Sequence, residues 1–418
     1  LTPDPPDLYR FQKTTLHIVL KITYSFALYI ILSLPGLCYA QKDSRHEDID
    51  LLDIYREVFK QEPPRYTNEG SSKEKVNFTI LPAAGYTLQT GGAALLSANA
   101  TFHTTPDTTD NLSTVTSSLT YTQYQQIILP VQTYIWTNKN RYNIVTDWRF
   151  MKYPSFTYGL GGHTTEADQY RIDYSTVHLY QTAFRNIGKG LYAGIGYNFD
   201  YYWNIKEVDP PVNERTDYAI YENGVKSKVV ASGITLNMLY DSRKNPINPN
   251  RGSFARVTYR PNFTFLGSDA NWQSMIFDLR HYFQFPGSSK NVLAFWNYDW
   301  FTAGGNPPYL MLPSTGWDPN SNLGRGYIQG RFRGRNLLYL EGEYRFRITN
   351  NGLIGGVVFA NAQSVSEQNT NRFEVIAPGW GGGVRIKINK FSNTNVAVDY
   401  SFGLGGSKGF FVNLGEVF

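Results

Sequence analysis

Four charged residues alternate along one short segment: Glu341, Glu343, Arg345 and Arg347. Paired carboxylates beside cations could do general acid–base work. In an extended strand, however, the same spacing puts all four on one face, and salt bridges inside a charged lumen are the expected outcome. No other chemistry competes with that reading. The six histidines lack ligand spacing, and neither a G-x-S-x-G nor an H-E-x-x-H signature occurs. Gly159-Leu160-Gly161-Gly162 sits in a loop rather than between a strand and a helix, so it is not expected to cradle a phosphate. No catalytic residue, metal or cofactor is expected, and the chain is read as a non-enzyme.

The elements that carry these residues alternate with a period of two. In Asn336–Thr349, Leu338, Leu340, Gly342, Tyr344, Phe346 and Ile348 oppose Tyr339, Glu341, Glu343, Arg345 and Arg347. In Trp272–Phe285, Met275, Phe277, Leu279 and Phe283 oppose Asp278, Arg280, Tyr282 and Gln284. In Asn395–Leu404, Val396, Val398, Tyr400 and Phe402 oppose Ala397, Asp399 and Ser401. One face suits hydrocarbon and the other does not. Strands in soluble sandwiches usually run about 5–6 residues, whereas tilted membrane strands need roughly 9–11. Composition agrees: 31 Tyr, 26 Phe and 37 Gly in 418 residues favour many short aromatic strands. A mean hydropathy of -0.37 fits a barrel in which only alternate residues meet lipid. The formal charge of +5 is spread through strands and turns, which argues against a nucleic-acid partner.

Strands are placed near 76–89, 91–104, 113–125, 127–138, 140–152, 169–185, 190–204 and 228–242. The rest fall near 252–265, 272–285, 291–302, 336–349, 352–364, 380–389, 394–404 and 409–418. The fold class is thus all-β, a sixteen-stranded antiparallel transmembrane barrel over 76–418. Periplasmic turns of such barrels are short and extracellular loops long. With the N-terminus periplasmic, the stretches 153–168, 205–227, 303–335 and 365–379 all fall on extracellular connections. Short connections such as 138–140, 186–190, 286–290, 350–351 and 390–394 fall on the periplasmic side. Trp296, Tyr298, Trp300 and Phe301 are expected in an interfacial aromatic girdle.

Residues 1–40 read as a signal peptide: Lys13 and Lys21 precede the apolar run Ile22–Leu34, and Cys38-Tyr39-Ala40 suits cleavage before Gln41. A lipoprotein reading of Cys38 is disfavoured by Leu37, which stands where a small residue is expected. Residues 41–75 form a periplasmic segment with a short helix at Glu47–Lys60, ended by Pro63-Pro64. That helix is either a tether or a plug or dock at the periplasmic mouth.

Several segments resemble the BamA/TamA superfamily of outer-membrane proteins, the bacterial surface antigen family, in versions of Bacteroidota type. Leu323-Gly324-Arg325-Gly326-Tyr327 is similar to the family's Arg-Gly-aromatic motif, and the strand count alone puts it on the sixth extracellular loop. The segment Asp241–Gly252 resembles the family's turn between strands 8 and 9, and Gly381–Ile386 its strand 14 signature. Asp399-Tyr400 matches the acidic position on the strand after that signature, Leu81–Tyr86 the first strand, and Phe418 the usual final aromatic residue. Two departures stand out. Residues 41–75 are too few for a POTRA domain, and Asn361 stands where the family commonly has Asp.

The resemblance implies that the loop carrying Gly324, Arg325, Gly326 and Tyr327 folds back into the lumen. Arg325 must then find acceptors, because an unpaired buried charge is costly. Asp399, lumen-facing by alternation, is the first candidate partner and Asn361 the second. The implied function is an accessory role in outer-membrane protein assembly or translocation in the bacterial outer membrane. Expected partners are outer-membrane lipid, lipopolysaccharide, other assembly proteins and unfolded barrel clients. The alternatives are a gated or passive channel, since sixteen strands can enclose water, and a surface adhesive barrel. A short last strand containing Asn413 and Gly415 fits a weak seam with the first strand.

Overall fold

The computed structural model describes residues 48–51, 53–54, 76–105, 111–210, 215–390 and 393–418. The expected signal peptide and most of the helix expected at 47–60 lie outside the described residues. Seventeen strands follow in chain order: β1 (Asn77–Thr87), β2 (Gly91–Phe102), β3 (Ser113–Thr122), β4 (Ile127–Trp136), β5 (Tyr142–Lys152), β6 (Ser155–Thr157), β7 (Tyr170–Gly188), β8 (Leu191–Val208) and β9 (Lys228–Asp241). Then come β10 (Gly252–Asn262), β11 (Trp272–Gln284), β12 (Val292–Gly305), β13 (Asn336–Arg347), β14 (Ile354–Val365), β15 (Ala377–Asn389), β16 (Thr394–Phe402) and β17 (Lys408–Leu414). Both β5 and β6 pair with β7, so they are one stave interrupted at Tyr153-Pro154. Proline has no N–H for the ladder, which accounts for the break. Counting that pair once leaves sixteen antiparallel staves.

Each stave pairs with its sequence neighbours, from β1 with β2 through β16 with β17. Among the described residues, no ladder joins β1 to β17. The sheet curls into a nearly closed barrel whose first and last strands meet side by side, with Leu88 lying against Gly409.

The faces are inverted relative to a soluble protein. Leu96, Leu119, Ile195, Leu236 and Leu340 are exposed on the outside. Tyr339, Glu341, Glu343 and Arg345 are buried inside. Alternation on β13 and β11 falls as the sequence pattern predicts, because a period of two leaves a strand only two faces.

Three details differ from the sequence expectation. Trp296 and Tyr298 point into the lumen, and Trp300 packs against the same inner cluster, so these residues do not form an outer girdle. The reason is polar: the Trp296 indole N–H donates to Asp278 Oδ1 at 3.0 Å, a partner lipid could not offer. The final strand stops at Leu414 rather than running to 418. Gly415 turns with φ +92°, and Phe418 packs inside, 5.3 Å from the Trp296 ring. Finally, the connection 242–251, read from sequence only as a turn, has contacts the pattern did not indicate. It reaches under the barrel, where the Ile247 carbonyl accepts from Glu416 N–H and Asn248 Nδ2 donates to the Asn393 carbonyl.

Candidate functional site

The connection between β12 and β13, residues 306–335, folds into the lumen instead of away from it. Its shape is set locally. Asp318 accepts backbone N–H groups from Asn320, Asn322 and Leu323 at 3.1, 2.9 and 2.8 Å. Burial pushes the Asp318 carboxyl above its ordinary value even though these donors oppose the shift. The loop is pinned to opposite walls. On one side Arg149 Nη2 donates to the Pro319 carbonyl at 2.6 Å, and Tyr153 Oη donates to Gln329 Oε1 at 2.5 Å. On the other, Tyr327 Oη donates to the Pro378 carbonyl at 2.6 Å and accepts from Leu404 N–H at 2.8 Å. Ser407 Oγ closes on the Gly326 carbonyl at 2.7 Å.

Arg325 sits at the centre, with its side chain only 1% exposed. Its Nη1 donates to Asp399 Oδ2 at 2.7 Å, and its Nη2 to Glu343 Oε2 at 2.6 Å and to Glu341. The guanidinium lies 3.6 Å from the centre of the Phe359 ring, the stacking expected of a planar cation. Asn361 takes a different part. Its Nδ2 donates to the Arg325 carbonyl at 2.9 Å, so it holds the loop backbone and not the charge.

The acids around Arg325 are shared with two further arginines. Arg385 Nη1 donates to Asp399 at 2.5 Å and its Nε to Glu416 at 2.7 Å. Arg345 Nε donates to Glu343 at 2.5 Å and lies 3.7 Å from Glu416. The result is a closed ring of contacts, Arg325, Asp399, Arg385, Glu416, Arg345 and Glu343, with Glu341 attached. Three cations face four carboxylates, all buried. Such a set holds together only while every member is present, because removing one strands the others.

Small residues make room for this packing. The inward positions of β15 run Gly379, Gly381 and Gly383 before Arg385. A Cβ at Gly379 would stand 2.5 Å from the Arg325 carbonyl, and one at Gly383 2.0 Å from Asp399 Oδ1. The glycine run of β15 is therefore the space into which the loop and its acid partner fit.

Of the residues singled out from sequence, Gly324, Arg325, Gly326, Tyr327, Asp399, Asn361, Glu341, Glu343 and Arg345 come together here. Arg347 does not. It lies at the end of β13 and pairs with Asp48 at 3.0 and 3.1 Å. Arg385 and Glu416 are not among the residues that the sequence pattern singles out. Arg385 lies within the quoted strand signature and on the inward parity of β15, a signal that was legible. Glu416 gave none, because it follows the strand and reaches the lumen only through the turn at Gly415. The glycine run Gly159–Gly162 is also occupied: Leu160 N–H donates to Asp217 at 2.7 Å and Gly162 N–H to Glu367 at 2.8 Å.

One prediction follows for the segment before the barrel. Partial burial works against ionisation of Asp48, but hydrogen bonds and charge from Arg347, with charge from Lys290 and Lys387, win and hold its carboxyl below the usual range. A depressed folded value means the contact is fully present above the ordinary Asp range, about 3.9. It is lost as pH falls through the lowered value. A fluorophore on Leu51→Cys, with Cys38→Ala, should keep high anisotropy at neutral pH and lose it in acid, earlier in Arg347→Gln. Anisotropy that ignores both acid and the Arg347 change would count against this pairing.

A profile of the Omp85 superfamily domain matches residues 90–393. Among solved structures, BamA from Haemophilus ducreyi lacking POTRA domains 1-3 superimposes with a TM-score of 0.53 at 13% identity, over 82% of this chain and 69% of that one. CdiB from Acinetobacter baumannii gives 0.51 at 12% identity, over 82% of this chain and 66% of that one. CdiB from Escherichia coli gives 0.52 at 6% identity, over 81% and 61%. This chain therefore spans less than two thirds of either CdiB chain. At these identities the structural likeness speaks for the fold alone. A sequence search of curated proteins finds no match. With most of its length matched by the superfamily profile, the chain belongs to the Omp85 superfamily and is a β-barrel of the outer-membrane type.

Proposed function

We propose that this barrel serves assembly or translocation of other outer-membrane components, as an accessory factor, and that exchange occurs at the seam between β1 and β17. The observation that carries the reading is the pairing of a filled lumen with an unlocked seam. The loop 306–335 is seated in the interior through Arg325, across the axis a solute would follow. The edges of β1 and β17 keep backbone groups outside any described ladder, and such edges can template an incoming strand. In this reading residues 1–40 are an export signal, 41–75 lie on the periplasmic side, and 76–418 span the outer membrane among lipid and lipopolysaccharide. Clients are unfolded barrel proteins, and the loop is held while the seam works.

The test is quantitative proteomics of outer membranes from a strain lacking the protein, complemented with wild type or Arg325→Ala. Selective loss of other barrel proteins, restored by wild type and not by the variant, is the expected result. An unchanged proteome removes the assembly role. High steady conductance of the wild-type protein in planar bilayers would favour the channel reading instead.

A further inference from the structure

Three turns at the end of the barrel opposite the long loops converge on one acidic stretch. The turn after β11 brings Lys290, the end of β13 brings Arg347 and Asn351, and the end of β15 brings Lys387 and Lys390. Against them lies Asp48–Asp53. Asp48 is held by both Arg347 terminal nitrogens, at 3.0 and 3.1 Å, with Lys290 at 3.7 Å and Lys387 at 3.8 Å. Ile49 N–H donates to the Asn351 carbonyl at 3.0 Å. Asp50 Oδ2 accepts Lys390 N–H, and Asp53 Oδ2 accepts Lys390 Nζ, both at 2.8 Å. Asp50 and Asp53 also exchange side-chain to backbone hydrogen bonds at 2.9 and 3.2 Å, so each carboxylate caps the backbone N–H of the other.

We propose that this rim is a docking site for acidic peptide segments, and that Asp48–Asp53 occupies it as a resident, exchangeable ligand. The chemistry it reads is a set of carboxylates at positions i, i+2 and i+5, with one backbone N–H offered between the first two. A bidentate arginine fixes the first carboxylate and a lysine, through main chain and side chain together, fixes the other two. The contacts are polar and, apart from those of the buried Asp50 and Lys387, partly exposed, with the Lys290 side chain 64% and the Asp48 side chain 33% accessible, so the outer ones are individually weak and screened by salt. That suits exchange. Because the strap is joined to the barrel, it acts at an effective concentration on the order of millimolar and sets the threshold a competing segment must beat. The partner that fits is a protein on the same side of the membrane carrying a matching acidic stretch.

The test uses the full chain in detergent micelles and a fluorescein-labelled peptide of residues 46–54. The peptide should bind the strap-neutralised chain Asp48→Asn/Asp50→Asn/Asp53→Asn at least tenfold more tightly than the wild-type chain. Adding Arg347→Gln and Lys390→Gln should abolish that binding, as should raising the salt. A peptide with the three Asp replaced by Asn should not bind. Each chain is first checked for heat-modifiable migration, so that a lost barrel is not read as a lost site. Equal binding to wild type and the vacated chain, failure to bind the vacated folded chain, or equal binding of the Asn peptide would each overturn the proposal.

Discussion

Replacing Arg325 with alanine should free the loop 306–335 from the lumen. The change removes one of three cations and leaves Glu341, Glu343, Asp399 and Glu416 against Arg345 and Arg385 alone. Breaking a buried ion pair from one side costs about 3–5 kcal/mol. Here three carboxylates lose the same partner, so the upper part of that range is expected. Phe359 also loses the cation stacked on it. Two readouts follow. Arg331 and Arg333 are buried within the loop, so trypsin should spare them in the wild type and cut there in the variant. Conductance in planar bilayers should rise as the interior opens. A variant whose loop stays protected from trypsin would show that the remaining wall contacts hold it without Arg325.

Gly326→Val should give the same release by a different physical route, with every charge still in place. Gly326 adopts φ +108°, where a β-branched residue is strongly disfavoured, and a Cβ there would stand 2.6 Å from the Phe402 carbonyl. That neighbour is backbone of β16 and cannot swing aside. The left-handed conformation alone costs roughly 1–2 kcal/mol, and the collision adds to it. Arg325 and Tyr327 flank the position, so a shift that relieves the clash also misaligns the guanidinium and the Tyr327 hydroxyl. Trypsin cleavage at Arg331 and Arg333 should again appear. Combining the change with Arg325→Ala should add little, because contacts within one seat are coupled and the first change has already emptied it. Additive effects would mean that charge network and loop backbone are held independently.

Much of this site is legible in the amino-acid sequence. Alternation puts Glu341, Glu343 and Arg345 on one face, and the same parity makes Asp399 the first partner for Arg325. These assignments work because a strand offers only two directions, so parity decides which one a side chain takes. Asn361 was harder. Parity put it inside, but whether its amide meets a guanidinium or a carbonyl depends on how deep the loop settles. Arg347 shares the parity of Arg345 but lies one pleat nearer the rim. There its partner is Asp48, distant in sequence and set by no local pattern.

The sequence by itself determined the all-β class, the sixteen staves, the inward and outward faces, and the connection that carries Arg325. Each depends on a period of two and on punctuation by Gly, Pro and Asn, which are local properties of the chain. Tertiary structure alone decided four things: that Glu416 and Phe418 turn inward, that 242–251 reaches beneath the barrel, that Trp296 and Tyr298 serve the interior, and that Asp48–Asp53 seats on the basic rim. For Trp296, Glu416 and Asp48 the final surroundings are completed by a polar partner remote in sequence. Asp278 is that partner for Trp296, Arg385 for Glu416, and Arg347 for Asp48. Burying a polar group without its partner is costly, so the position of the partner, known only once the barrel closes, settles the direction.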